Sequence, residues 1–446
     1  MTLPQHPGSL TQALYLRAKQ LIPGGTQLLS KRPEMFAPEV WPGYYQSCNG
    51  CTVVDLDGRE YTDMSIMGIG ACLLGYADPD VTDAVTERIR RGSMCTLNAP
   101  EEVLLAEELI RIHPWAEQVR YARTGGEAMT VAVRIARAAT DRSLIAFCGY
   151  HGWHDWYLAA NRRPKGEGDS LKGHLLPGLH PNGVPEELAG TAIPFQYNQI
   201  DQLQQIIKKE GKRLAAVVME PTRYSDPEPG YLEQVRELCH QNGSLLVIDE
   251  ITAGWRMHYG GAHLKYGIEP DIAVFGKALG NGHPMAAIIG TKTAMQAAQE
   301  TFISSTYWTE AVGPAAALAT LKRMKETDLS TKLNALGHEL RYGITPIAEK
   351  FGIPLKLLGH APITHFQYDH PQAAEIQTYI TIQMLERNIL AGAGFYASLA
   401  HSSQHIQRYL EAYRAIYAEL QEPVEKRTVD KLLKSPVKHG GFSRLN

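Results

Sequence analysis

Between residues 118 and 290 the chain alternates short apolar runs with stretches of helical period. The runs are QVRYA, SLIAFC, LAAVVME, SLLVID, DIAVFG and MAAIIG. Several lack the polar alternation of a half-exposed strand, which predicts strands buried on both faces of a parallel sheet. EAMTVAVRIARAA and IDQLQQIIKK carry helical spacing and fit between them. This order of elements is that of an α/β fold. Upstream, CTVVDLDGREYTDM reads as a hairpin with an Asp-Gly turn. From about Leu321 the texture changes to amphipathic helices such as TDLSTKLNALGHELRYGITPIAEKF, with short strands between, the mark of a second, smaller domain. Asn161–Thr191 is rich in Gly, Pro and Lys and reads as a long mobile loop. The tail after Glu422 is polar and basic, either loose or packed on a partner surface.

At 446 residues the chain exceeds one simple core. Its net charge of −3 argues against a nucleic-acid surface and a membrane patch. No apolar run has the length of a membrane span, and the opening MTLPQHPGSLTQALY lacks a signal-peptide pattern. The six cysteines are scattered. Cys48 and Cys51 in SCNGC have no second pair at ligand spacing, so reduced thiols in the cytoplasm are expected. His151 and His154 in HGWH have no evident third ligand, and no metal is expected.

Chemistry concentrates where apolar runs end, the edge at which open parallel sheets hold ligands. After QVRYA comes Arg123, then Thr124-Gly125-Gly126, then a helix. Free amides and the helix dipole make that turn an anion site, and glycine lets a phosphate approach. The turn lacks G-x-G-x-x-G and a Walker lysine, so neither NAD nor ATP is supported. Asp249 ends SLLVID, where a carboxylate needs a cationic partner. A helix cap or a pairing with Arg256 explains it equally when it is taken alone. Lys277 follows DIAVFG, and a lysine buried there has a lowered pKa suited to Schiff-base chemistry. Gly276, Gly280 and Gly282 leave room beside the amine. Phosphate, protonated ring nitrogen and aldehyde are the three handles of pyridoxal phosphate (PLP).

These motifs resemble those of the class III (subgroup II, ω-type) PLP-dependent aminotransferases of fold type I, and within them the glutamate-1-semialdehyde aminomutase branch. The similarity runs through LIPGGTQ, GREYTDM, GYADPDV, TGGEA, GYHGWHD, VMEP, IDEITAGWR, FGKALGNGHP, SSTYWTEAVGPAAALA and SLAHS. It implies a large PLP-binding domain over 71–320 with a mostly parallel sheet. It also implies an α+β small domain, made of 321–446 and the N-terminal segment 1–70. By the same resemblance Lys277 matches the Schiff-base lysine and Asp249 the partner of the ring nitrogen. Gly125 and Gly126 match the phosphate turn, and Tyr150 the residue stacked on the ring. Thr306 matches the residue that reaches the phosphate of the neighbouring subunit, which implies a homodimer. Glu220 lies near the cofactor in such enzymes.

The chain also departs from that branch. After PGG, where the aminomutase carries a substrate-binding arginine, stand Lys31 and Arg32, and either could serve. The segment AGAGFYASLAH is shorter and holds no acid where the branch carries a glutamate, Gly126 replaces a hydroxyl residue, and YWTEAVGP replaces a small-polar stretch. Trp153, Trp308 and the 161–191 loop are expected to shape the acceptor pocket. The expectation is an aminotransferase that alternates PLP and pyridoxamine phosphate between an amino donor and a carbonyl acceptor. The alternatives are the intramolecular aminomutase, other PLP chemistry, and a non-catalytic binding protein.

Overall fold

The structure, a computed structural model, describes residues 9–162, 170, 171, 174 and 179–441. Its contacts divide the chain into two compact units, Met1–Asp78 with Thr331–Asn446, and Pro79–Ser330. The changes of unit fall after Asp78 and Ser330, where the sequence places them after residues 70 and 320. The later boundary has a packing cause. The helix Val312–Glu326 packs on the helix Pro79–Arg90, and its Leu321 and Met324 are buried.

The N-terminal part of the first unit supplies β1 (Tyr45–Asn49), β2 (Thr52–Asp55) and β3 (Glu60–Asp63). β2 and β3 pair antiparallel around the expected turn, where Gly58 takes φ +80°. Asp55 fixes that turn, because its Oδ1 accepts from the amides of Asp57 and Arg59.

The second unit holds β4 (Gln118–Ala122), β5 (Leu144–Cys148), β6 (Ala192–Pro194), β7 (Leu214–Met219), β8 (Leu245–Asp249), β9 (Ile272–Phe275) and β10 (Ala286–Gly290). They form one sheet in the order β4-β10-β9-β8-β7-β5-β6. Neighbours are parallel from β9 through β6, and β10 runs antiparallel to both β4 and β9. The mostly parallel α/β sheet of fold type I is therefore present. The missing alternation has its reason in cover on both faces. Ile145, Phe147, Ala216 and Val218 pack with the helix Gly125–Thr140. Leu144, Ala146, Val217 and Met219 pack with the helices Ile200–Glu210 and Tyr231–Asn242. β6 escaped the sequence reading because it is three residues long and ends in Pro at the sheet edge.

The C-terminal part of the first unit supplies β11 (Leu355–Leu358), β12 (Ile363–Tyr368), β13 (Ile389–Leu390) and β14 (Gly394–Tyr396). β13 joins β3 in parallel, and β11-β12-β14 form a separate antiparallel sheet. The tail is neither loose nor spare as far as residue 441. Val429 is buried, the Lys438 amide donates to Thr378 Oγ1 at 2.9 Å, and the His439 amide donates to the Glu34 carbonyl at 2.7 Å. Of the loop read over 161–191, residues 163–169, 172, 173 and 175–178 lie outside the described residues. Its later part carries a short 3-10 turn, Glu186–Leu188, and a buried Val184.

Candidate active site

Because β4, β5, β7, β8 and β9 all run the same way, their carboxyl ends open on one edge of the sheet. Five segments leave that edge with polar groups: Arg123–Gly126, Gly149–His151, Glu220, Asp249–Thr252 and Gly276–Lys277. Ile251 ties three of them together. Its amide donates to Asp249 Oδ1 at 3.0 Å. A Cβ placed on Gly125 would lie 3.0 Å from Ile251 Cδ1, and one on Gly276 would lie 3.5 Å from Ile251 Cγ1. The phosphate turn, the carboxylate and the lysine turn thus share one neighbour.

Lys277 begins a 3-10 turn in the left-handed region, with φ +40°. A non-glycine residue there stores strain, which collects at functional sites. Its ammonium donates to Thr252 Oγ1 at 2.6 Å. Burial lowers the Lys277 pKa from 10.5 to about 8; Asp249 and Glu220 oppose the drop, while Arg256 and Arg223 add to it. The amine is therefore partly neutral near pH 8, the form that attacks a carbonyl. The neighbouring glycines do not supply the room the sequence suggests. A side chain on Gly276 would meet Ile251 and Ala286, and one on Gly280 would meet Met285 and His283. Of the three, Gly282 is the one in the left-handed region, with φ +99°.

Asp249 is buried, and the group against its Oδ2 is the His151 imidazole, with Nδ1 at 2.7 Å. His151 Nε2 lies 3.1 Å from the Cys148 carbonyl, which only accepts. Nε2 therefore carries a hydrogen, and a further proton must lie in the Nδ1–Oδ2 bond. The sequence offered His151 only as a metal candidate. Nothing in HGWH signals a carboxylate that arrives with a strand 98 residues later.

Tyr150 is half-buried, and its amide donates to Glu220 Oε2 at 3.3 Å. Glu220 also pairs with Arg223, a cation the sequence reading did not select. Gly149, at φ +114°, is required here, since a Cβ would come 2.5 Å from the Glu220 carboxylate. At the helix start Thr124 and Glu127 form a capping box. That leaves the amides of Gly125 and Gly126 without partners among the described residues. Trp153 is exposed and lies over this turn, its Nε1 3.7 Å from the place of a Cβ on Gly126.

One other expected residue of this unit, Thr306, is not drawn into the cluster. Thr306 sits on an exposed turn, Thr306–Thr309, that faces Met94, Cys95 and Thr96 across an open hollow. Lys31 and Arg32 belong to the other unit. Lys31 is exposed at the end of a 3-10 turn, and Arg32 folds onto Gly24.

The donor set suits PLP. A lysine of lowered pKa, a buried carboxylate backed by histidine and two free amides at a helix start converge on one edge of the sheet. Residues 37–378 match the family model of class-III aminotransferases. The 3-aminobutyryl-CoA aminotransferase of Cloacimonas acidaminovorans is 30% identical, over 92% of this chain and 97% of its own. The glutamate-1-semialdehyde 2,1-aminomutase of Desulfovibrio desulfuricans is 31% identical, over 92% and 99%. The FumI protein of Sphingopyxis sp. MTA144, solved in a PLP form, superposes with a TM-score of 0.82 at 25% identity, over 93% of this chain and 97% of its own. The chain belongs to the class-III aminotransferases, a family of PLP-dependent transaminases.

Proposed function

We propose that this transaminase works through Lys277, moving an amino group from an amine or amino-acid donor to a separate carbonyl acceptor. The placement of Lys277 carries the reading: it follows β9 at the same strand-end edge as Asp249, with its amine 2.6 Å from Thr252 Oγ1 and its pKa lowered by burial. Bound PLP supplies an electron sink for the carbon that loses its proton. Lys277 Nζ, neutral in part near pH 8, takes that proton and returns it in the reverse half-reaction. Thr252 Oγ1 holds the amine in place between transfers. Asp249 holds the proton of the ring nitrogen, and His151 keeps its carboxylate oriented. Gly125 and Gly126 take the phosphate with their amides, Tyr150 covers the ring, and Trp153 borders the substrate side. Lys31 or Arg32 grips a substrate carboxylate.

The working form is a cytoplasmic homodimer in which Thr306 serves the phosphate of the second copy. Its support is an apolar surface beside the Thr306 hollow: Phe302 and Tyr307, 88% and 68% exposed, flank one wall, and Leu97, 78% exposed, follows the other.

The test is borohydride reduction of the PLP-loaded protein followed by peptide mass spectrometry. The label should sit on Lys277, and Lys277→Ala should lose about 10²–10⁴-fold in transfer rate. A label on another lysine, or full turnover by Lys277→Ala, would overturn the reading. The similarity to the Desulfovibrio aminomutase keeps an intramolecular exchange as the second reading. Conversion of glutamate semialdehyde to 5-aminolevulinate without an added donor would favour it.

A further inference from the structure

Position 126 is where the helix start turns toward the phosphate, and it carries no side chain. The space is not empty. A Cβ on Gly126 would lie 2.6 Å from His154 Cε1 and 2.8 Å from His154 Nδ1. Gly152, at φ +105°, brings its backbone down on the same spot, since a Cβ there would lie 3.2 Å from Gly126 Cα. The Gly152–His154 segment is thus folded over the first turn of the helix Gly125–Thr140, with the imidazole in the volume that residue 126 leaves free. Trp153 holds it from outside, stacked on the ring with centroids 4.2 Å apart and planes at 25°.

His154 Nδ1 is buried and has no hydrogen-bond partner among the described residues. A buried polar atom left alone calls for an explanation. The Gly125 and Gly126 amides at the same helix start are also unpartnered among the described residues, and they only donate. An anion at the helix start accepts from both amides and from an Nδ1 hydrogen together. Burial lowers the pKa of the ring, and Glu127 and Asp155, the charged groups that act on it, oppose the drop without reversing it.

We propose that His154 is a ligand of the cofactor phosphate, standing where a side-chain hydroxyl at position 126 would otherwise reach it. The inference rests on the reading of Gly125–Gly126 as the phosphate turn. It assigns Gly126 a reason: any larger residue would collide with the imidazole. It also assigns Trp153 a role as the clamp that keeps the ring over the turn.

The test compares equilibrium binding of PLP and of pyridoxal, which lacks the phosphate, to cofactor-free protein. His154→Ala should weaken PLP by about 10- to 100-fold, the range of one hydrogen bond to a charged group, and leave pyridoxal unchanged. His154→Gln, which keeps a donor, should fall between. Adding Gly126→Ser to His154→Ala should recover most of the loss, because the hydroxyl then has the space to reach the phosphate. Equal weakening of both ligands, no weakening at all, or no recovery with serine overturns the assignment. The two readings fail differently. If wild type binds pyridoxal as tightly as PLP, the phosphate turn itself is wrong; if wild type prefers PLP and His154→Ala prefers it by the same factor, only His154 is wrong.

Discussion

Asp249 and Glu250 are consecutive, both buried, and each holds a histidine at 2.7 Å. On paper they are the same interaction, yet their histidines have different second partners. Beyond Asp249, His151 Nε2 meets the Cys148 carbonyl and must donate. Beyond Glu250, His263 Nε2 receives the indole N–H of Trp115 at 3.2 Å and must accept. His263 therefore carries its single hydrogen on Nδ1 and gives it to Glu250 Oε1, which also accepts the His263 amide at 2.7 Å. The Asp249 pair holds one proton more than the Glu250 pair. The group on the far side of the imidazole decides the charge, and the carboxylate's distance alone does not. One pair faces the strand-end cluster. The other is packed against His113 and Trp115 as part of the core.

The comparison breaks most visibly at Asp249. Asp249→Asn should cut transfer by roughly 10²–10³-fold, as loss of a preorganised charge does, while the protein stays folded. Steady-state rates beside a circular dichroism spectrum decide it, and near-normal turnover removes Asp249 from the chemistry.

A pH profile sharpens the same point. Capture of PLP by cofactor-free protein needs the neutral amine, so its rate should rise tenfold per pH unit and level off near 8, not near 10.5. Since Asp249 raises the Lys277 pKa, Asp249→Asn should move that midpoint lower and capture PLP faster at pH 7. Stopped-flow absorbance would show it; a midpoint that stays put separates the two groups. Stability follows with its own sign. Unfolded protein binds more protons between about pH 8 and 10.5, so the cofactor-free fold gains stability as pH rises through that window.

Glu250→Ala should act on the fold instead. It strands the buried His263 donors and should cost about 1–3 kcal/mol in urea unfolding, with turnover per folded molecule little changed. A large loss of turnover at unchanged stability would erase the distinction between the neighbours. Trp115→Phe is the mildest probe. It removes the donor that fixes the His263 tautomer and should cost roughly 0.5–1.5 kcal/mol. Nitrogen-15 NMR at fixed pH should then show the His263 hydrogen shared between the two ring nitrogens, and an unchanged tautomer would place it under other control.

The fold was legible where burial on both faces wrote itself into continuous apolar runs, as in β5, β7, β8 and β9. Asp249 and Lys277 stood out because each puts a charge at the end of such a run. What the sequence hid depends on direction or on distant pairing. Gly276 and Gly280 read as open space, yet their missing side chains face Ile251 and Met285. His151 and Glu220 became informative only when the sheet order set β5, β7 and β8 side by side. Lys31 and Arg32 fit a family pattern by spacing, and spacing does not say where a separate unit brings them.

The parallel pairing of β3 with β13 has a consequence for synthesis. Residues 79–330 form a contiguous unit and have all their own strands once they leave the ribosome. The segment before them must wait, because the strand that covers β3 arrives only with Ile389. At roughly 5–20 residues per second the delay is on the order of tens of seconds. Throughout it the edge of the Thr52–Asp63 hairpin has no native neighbour, which makes the nascent chain's first strands its longest exposed ones.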